Sequence, residues 1–241
     1  VPLLGTLITS FRTTDDATFY IQMAREMIAH KPIVTLAPYD TRPLVPWLAQ
    51  AIDPTDLAHA FRLLDDVSCV LAVAVFAVFL RAARVRRAFR PFLWLVYVGM
   101  PMGPVRFSAY YPYLPDALLA LATVLFMWIA IEPRLAARPL ARGGALVAIT
   151  LVAVAAHESF LAPALASPFV GDPLEAVSST KRLREVARAA LARRREVLLR
   201  ASPLVLGAAL RAYILGHVTG VGSYTIVTHA ERWLWSKSMP Q

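Results

Sequence analysis

Apolar runs at roughly residues 63–80, 91–105, 114–131, 143–156, 159–170 and 203–219 alternate with short clusters of arginine. This alternation constrains the fold more than any other feature. The chain is 58% hydrophobic and only 17% charged, against about 25% charged in an average soluble domain. A soluble fold of 241 residues has too little interior for that apolar surface. The expected class is therefore all-α: a polytopic integral membrane helical bundle, read as a single transmembrane domain over 1–241. Several runs fall short of the ~20 residues that cross a bilayer, so some helices are expected to be tilted, broken or partly inserted. Prolines 101, 104, 163 and 168 place breaks in the second and fifth runs.

The net charge of +9 does not point to nucleic acid, because the arginines sit between the apolar runs, as the positive-inside rule produces. Segments 81–90, 132–142 and 180–200 hold 16 of the 25 basic residues and are assigned to the cytoplasm. Alternating crossings then put 12–62, 106–115 and the turn "HES" (157–159) outside, and counting helix ends with them the outer side takes 11 of the 16 acidic residues. Segment 180–200 carries an apolar stripe and reads as a basic amphipathic helix, lying on the anionic leaflet or serving as a solvated connector. Cys69 is the sole cysteine, which rules out an intrachain disulfide. The first apolar stretch, "VPLLGTLITSF", reads as the tail of a membrane helix whose beginning is missing.

The outer loop 12–62 carries most of the chemistry. Thr13 or Thr14 can cap a helix starting near Asp15, with Asp16 favourable at its positive end. Phe19, Met23, Met27 and Ile28 follow at helical spacing, which predicts an amphipathic interfacial helix. Tyr39, Asp40 and Arg42 precede the rigid Pro43-Leu44 step, and Trp47 suits an interfacial anchor. Each charge also has a plain structural reading. Asp15 and Asp16 can be helix-start residues, Arg42 a snorkelling charge or partner of Asp40, and His157-Glu158 a polar turn. Asp65 and Asp66 are expected at the start of an apolar helix. Arg211 and His217 lie inside the last apolar run, where charge is expensive, and Arg211 calls for an acidic partner on a neighbouring helix.

The order "DDATFYIQMAREM" followed by "YDTRPLVPWL" resembles the first extracytoplasmic loop of GT-C glycosyltransferases, in particular the lipid A aminoarabinose transferase and protein O-mannosyltransferase group. Two departures stand out: Asp16 replaces the usual Glu, and Arg42 stands where a Lys is common. The resemblance is strongest over 12–62 and compatible over 12–170. It implies a truncated member, since the large C-terminal part of the family is absent. It further implies sugar transfer from a polyprenyl-phosphate donor at the outer face of a bacterial inner membrane. Asp15 or Asp16 would then be the general base. Arg42, helped by Tyr39, Arg106 and His157, would bind the donor phosphate, with Asp116, Glu158 and Tyr20 in support. No cofactor is demanded, although some GT-C enzymes use a divalent cation, which Asp15 and Asp16 could hold. The expected partners are membrane lipids and the lipid-linked donor, not nucleic acid. The alternative is a non-catalytic subunit that keeps a GT-C-like scaffold within a larger membrane complex.

Overall fold

The computed structural model describes residues 15–31, 42–100, 103–105, 115–165 and 194–217. Among them the regular elements are helical: α1 (Asp15–Ile28), α2 (Leu44–Ile52), α3 (Leu57–Ala82), α4 (Arg90–Gly99), α5 (Asp116–Ile131), α6 (Pro133–Ala136), α7 (Pro139–Ala156), α8 (Leu161–Leu165) and α9 (Arg194–His217). Tight 3₁₀ turns at Arg87–Phe89 and Glu158–Phe160 lead into α4 and α8.

Three helical stretches are long and apolar enough to cross a membrane: Leu57–Ala82, Pro139–Ala156 and Leu198–Gly216. Large apolar side chains on them point away from the protein, among them Val70, Leu71, Val78, Val152, Val205 and Leu215. Such a surface suits lipid and is unfavourable in water. α5 has 16 residues, about 24 Å at 1.5 Å per residue, and packs along α3 as the inner member of the bundle.

α3 begins earlier than the apolar run suggests. Asp53 accepts from the backbone N–H of Thr55 and Asp56, and Asp56 then caps the helix by accepting from His59 N at 2.9 Å. Asp65 and Asp66 consequently sit about two turns inside α3 rather than at its start, with Asp65 buried. The second apolar run ends as a helix at Gly99, just ahead of Pro101, as its prolines require. The last run is one helix from Arg194 through Pro203 to His217, so residues 194–200 of the basic segment are its first turns. Residues 180–193 lie outside the described residues.

α3 and α5 start at the same end of the bundle, and α7 and α9 finish there. The turn 157–160 after α7 meets both Arg42 and Arg211, while the opposite end brings Gly143 against Leu199. Arg81, Arg134, Arg138, Arg142 and Arg200 therefore gather at one end, and α1, α2 and the 157–160 turn at the other.

Two small-residue cores tie the helices together. One joins Tyr20, Ala24, Val45, Ala49, Ala60, Phe61 and Ala156, fastening α1 and α2 onto the end of the bundle. The other joins Ala122, Phe126, Ala130, Ala153, Val154 and Phe160, with the Phe126 and Phe160 rings edge to face at 5.6 Å. The alanines let helix backbones approach closely, the usual basis of packing between membrane helices.

α1 forms over the expected residues, and Met23 of the expected stripe is buried, but the rest of the buried face differs. Ala17, Tyr20, Met23 and Ala24 face the protein, while Ile28 is exposed. Tyr20 lies on that face, and its hydroxyl accepts from Arg42 Nη1 at 3.0 Å.

Candidate functional site

Arg42 is the centre of a charged cluster at the end of the bundle opposite Arg81, Arg134 and Arg142. It leads into Pro43, the residue before α2, so its backbone is fixed by the proline and by the burial of Val45 and Ala49. All three guanidinium nitrogens are engaged. Nε donates to Glu158 Oε2 at 2.8 Å, Nη2 to Glu158 Oε1 at 2.5 Å, and Nη1 to the Tyr20 hydroxyl at 3.0 Å. The fork-to-carboxylate pairing is bidentate, the strongest geometry open to such a pair.

Glu158 also attracts a second guanidinium: Arg211 Nη2 lies 3.8 Å from its Oε2. Arg211 belongs to α9, and its carboxylate neighbour lies in the turn after α7 rather than within a neighbouring long helix. His157 Nδ1 is 3.9 Å from the same Glu158 oxygen. That nitrogen accepts from Ser159 N at 3.2 Å and lies 2.8 Å from Ser159 Oγ. Because Nδ1 is an acceptor, the neutral ring carries its proton on Nε2.

The electrostatics follow from burial and from Arg42. Burial alone would raise the Glu158 carboxyl, but hydrogen bonding and charge from Arg42 outweigh it, and the group falls to about 2. His157 is lowered to about 4, first by burial and then by the Arg42 charge. Tyr20 is raised to about 12 by burial, against the pull of Arg42. Burial works against the Arg42 charge, yet Glu158 and Tyr20 hold its ionisation above the ordinary arginine value. At neutral pH the inner group is therefore two guanidiniums around one carboxylate, with neutral His157 and Tyr20. Asp116, on the first turn of α5, is within electrostatic range of Tyr20 and offsets part of that positive charge.

Tyr20, Arg42, Asp116 and the adjacent His157 and Glu158 are thus brought together from four segments of the sequence. Asp15 and Asp16 open α1, the helix that carries Tyr20, but their side chains lie outside what the structure describes. Tyr39 and Arg106 lie outside the described residues. Ser159 and Arg211 join the cluster without having been expected there. A charge inside an apolar run was the available signal for Arg211, whereas nothing local marks Ser159 as a partner of His157. Among the described residues no three His, Cys, Asp or Glu side chains are grouped to hold a metal ion.

No family model, curated protein or solved structure matches the chain.

Proposed function

We propose that the chain is a GT-C-like membrane glycosyltransferase that moves a sugar from a polyprenyl-phosphate donor to an acceptor at the extracytoplasmic face of a bacterial inner membrane. The observation that carries this reading is the convergence of Arg42, Tyr20, Glu158, His157 and Arg211 on one end of the bundle. Arg81, Arg134, Arg138, Arg142 and Arg200 lie toward the other end, which supports reading that end as cytoplasmic under the positive-inside rule.

In this reaction the acceptor hydroxyl or amine attacks C1 of the sugar. The bond from C1 to the phosphate oxygen breaks, and polyprenyl phosphate leaves with the electron pair. The acceptor's proton passes to Asp15 or Asp16, at the start of the same helix that presents Tyr20. Arg42, held rigid by Glu158 and Tyr20, meets the charge that develops on the leaving phosphate, with Arg211 as a second cation. The test is transfer from a polyprenyl-phosphate sugar by Asp15→Asn and Arg42→Ala variants of the full-length protein. A loss of about 100-fold or more is expected for each, the usual size of a lost general base or oxyanion partner. Unchanged activity in both overturns the proposal.

A second reading is favoured by one detail: every nitrogen of Arg42 already has a partner. On that view the ion pair is a clamp holding α1 and α2 on a non-catalytic subunit of a larger membrane complex. Stable copurification with other subunits, without bound polyprenyl phosphate, would favour it.

A further inference from the structure

The basic end of the bundle carries a groove of about 540 Å³ where α3 ends and α4 begins. Arg81 comes from the last turn of α3, Arg87 from the 3₁₀ turn and Arg90 from the start of α4, while Leu80, Trp94 and Leu95 form the apolar wall. The turn that creates it is rigid. Arg84 takes a left-handed backbone (φ 55°), and Val85 N reaches back to Leu80 O at 3.1 Å, closing α3. Arg90 Nε donates to Val85 O at 2.8 Å, and the Trp94 indole N–H donates to Val73 O at 3.2 Å, so both side chains are fixed from behind.

We propose that this groove holds an anionic phospholipid of the leaflet at the basic end. Its phosphate sits among Arg81, Arg87 and Arg90, and an acyl chain lies along Leu80, Trp94 and Leu95. Two observations select this occupant. Among the described residues no carboxylate lies within ion-pair distance of any of the three arginines, so the groove presents unneutralised positive charge. Its wall is apolar, and Leu95 (61% exposed) continues that wall outward, which suits an acyl chain and offers nothing to a free ion. The groove also sits at the end of a helix long enough to cross the membrane, the depth at which headgroups lie. The inference is independent of the catalytic reading of the opposite end.

The test uses the purified full chain equilibrated with equal amounts of phosphatidylglycerol and phosphatidylcholine, with retained lipid identified by native mass spectrometry. Phosphatidylglycerol is expected to be enriched. Arg81→Gln/Arg87→Gln should lower that enrichment at least about five-fold, the size of one basic residue's attraction to anionic lipid. Arg134→Gln/Arg138→Gln removes the same charge from the same end of the bundle outside the groove and should leave the enrichment intact. Equal loss in both double variants, or loss in neither, overturns the proposal. So does displacement of the lipid by millimolar inorganic phosphate, which would make the groove a site for free phosphate.

Discussion

Glu158 takes both ends of the Arg42 fork across 116 residues of chain, at 2.8 and 2.5 Å. The pair is largely shielded, with 13% of the Arg42 and 30% of the Glu158 side chain exposed. Removing one member therefore leaves a charge in a place built for two. Glu158→Gln is expected to lower stability by about 2 kcal/mol, below the ~3–5 kcal/mol of a fully buried pair because Glu158 retains water. Detergent-phase thermal unfolding measures it. A double-mutant cycle with Arg42→Met should return a coupling of about 1 kcal/mol or more.

Tyr20 has no exposed surface, and its hydroxyl reaches Arg42 Nη1 at 3.0 Å. Tyr20→Phe keeps the packing and removes that bond. It should destabilise by about 1–2 kcal/mol, the range for a buried hydrogen bond to a charged group. If Arg42 serves the donor phosphate, transfer should also fall, since the fork loses one of its supports.

Acidification should weaken the cluster in two stages. His157 titrates near 4 when folded and near 6.5 when unfolded, so the unfolded chain binds its proton first, and stability falls as pH drops from 6.5 to 4. Glu158 titrates near 2 when folded against an ordinary 4.5. Its contribution is whole above pH 4.5 and is lost as pH falls toward 2. Melting temperature against pH measures both, and His157→Gln should flatten the upper stage while leaving the lower one.

Gly207 marks the closest approach of α9 to α7. A β-carbon there would stand 2.8 Å from Thr150 Cγ2, 3.3 Å from Leu161 Cδ2 and 3.4 Å from Val154 Cγ2. Thr150 is pinned by its own bond to Leu146 O at 2.8 Å and has no room to turn away. Gly207→Ala should therefore destabilise by about 1 kcal/mol despite alanine's higher helix propensity, and Gly207→Leu by more. Gly144→Ala, where nothing lies within 4 Å, is the matched control and should be neutral or stabilising.

The apolar runs made the helices and their breaks legible, because length, proline and arginine placement act locally. Arg42, Glu158, Asp116 and His157 could be expected at one end from the alternation of crossings alone. What stayed hidden was rotation and partnership. The stripe through Phe19, Met23, Met27 and Ile28 fits the helical period as well as the buried face through Ala17, Tyr20, Met23 and Ala24, and the two share only Met23. Only an arginine far along the chain decides between them. The early start of α3 had a visible sign in Asp56 before Leu57, but the acidic pair at 65–66 resembled a helix start more strongly. Asp65 shows why that resemblance misled: a buried carboxylate two turns into an apolar helix breaks the rule that charge marks an end.

The cluster around Glu158 also has a consequence in time. At about 5–20 residues per second, the ribosome adds Arg42 roughly 6–23 seconds before Glu158, and Arg211 is made later still. α1 and α2 therefore lack this partner until α7 has been made and the 157–160 turn emerges. A nascent chain halted before residue 158 contains α3 and α5 yet lacks the carboxylate that receives the Arg42 fork. Completion of this end of the protein is therefore a late step of biogenesis, and quality control that recognises an unreceived arginine would distinguish finished copies from stalled ones.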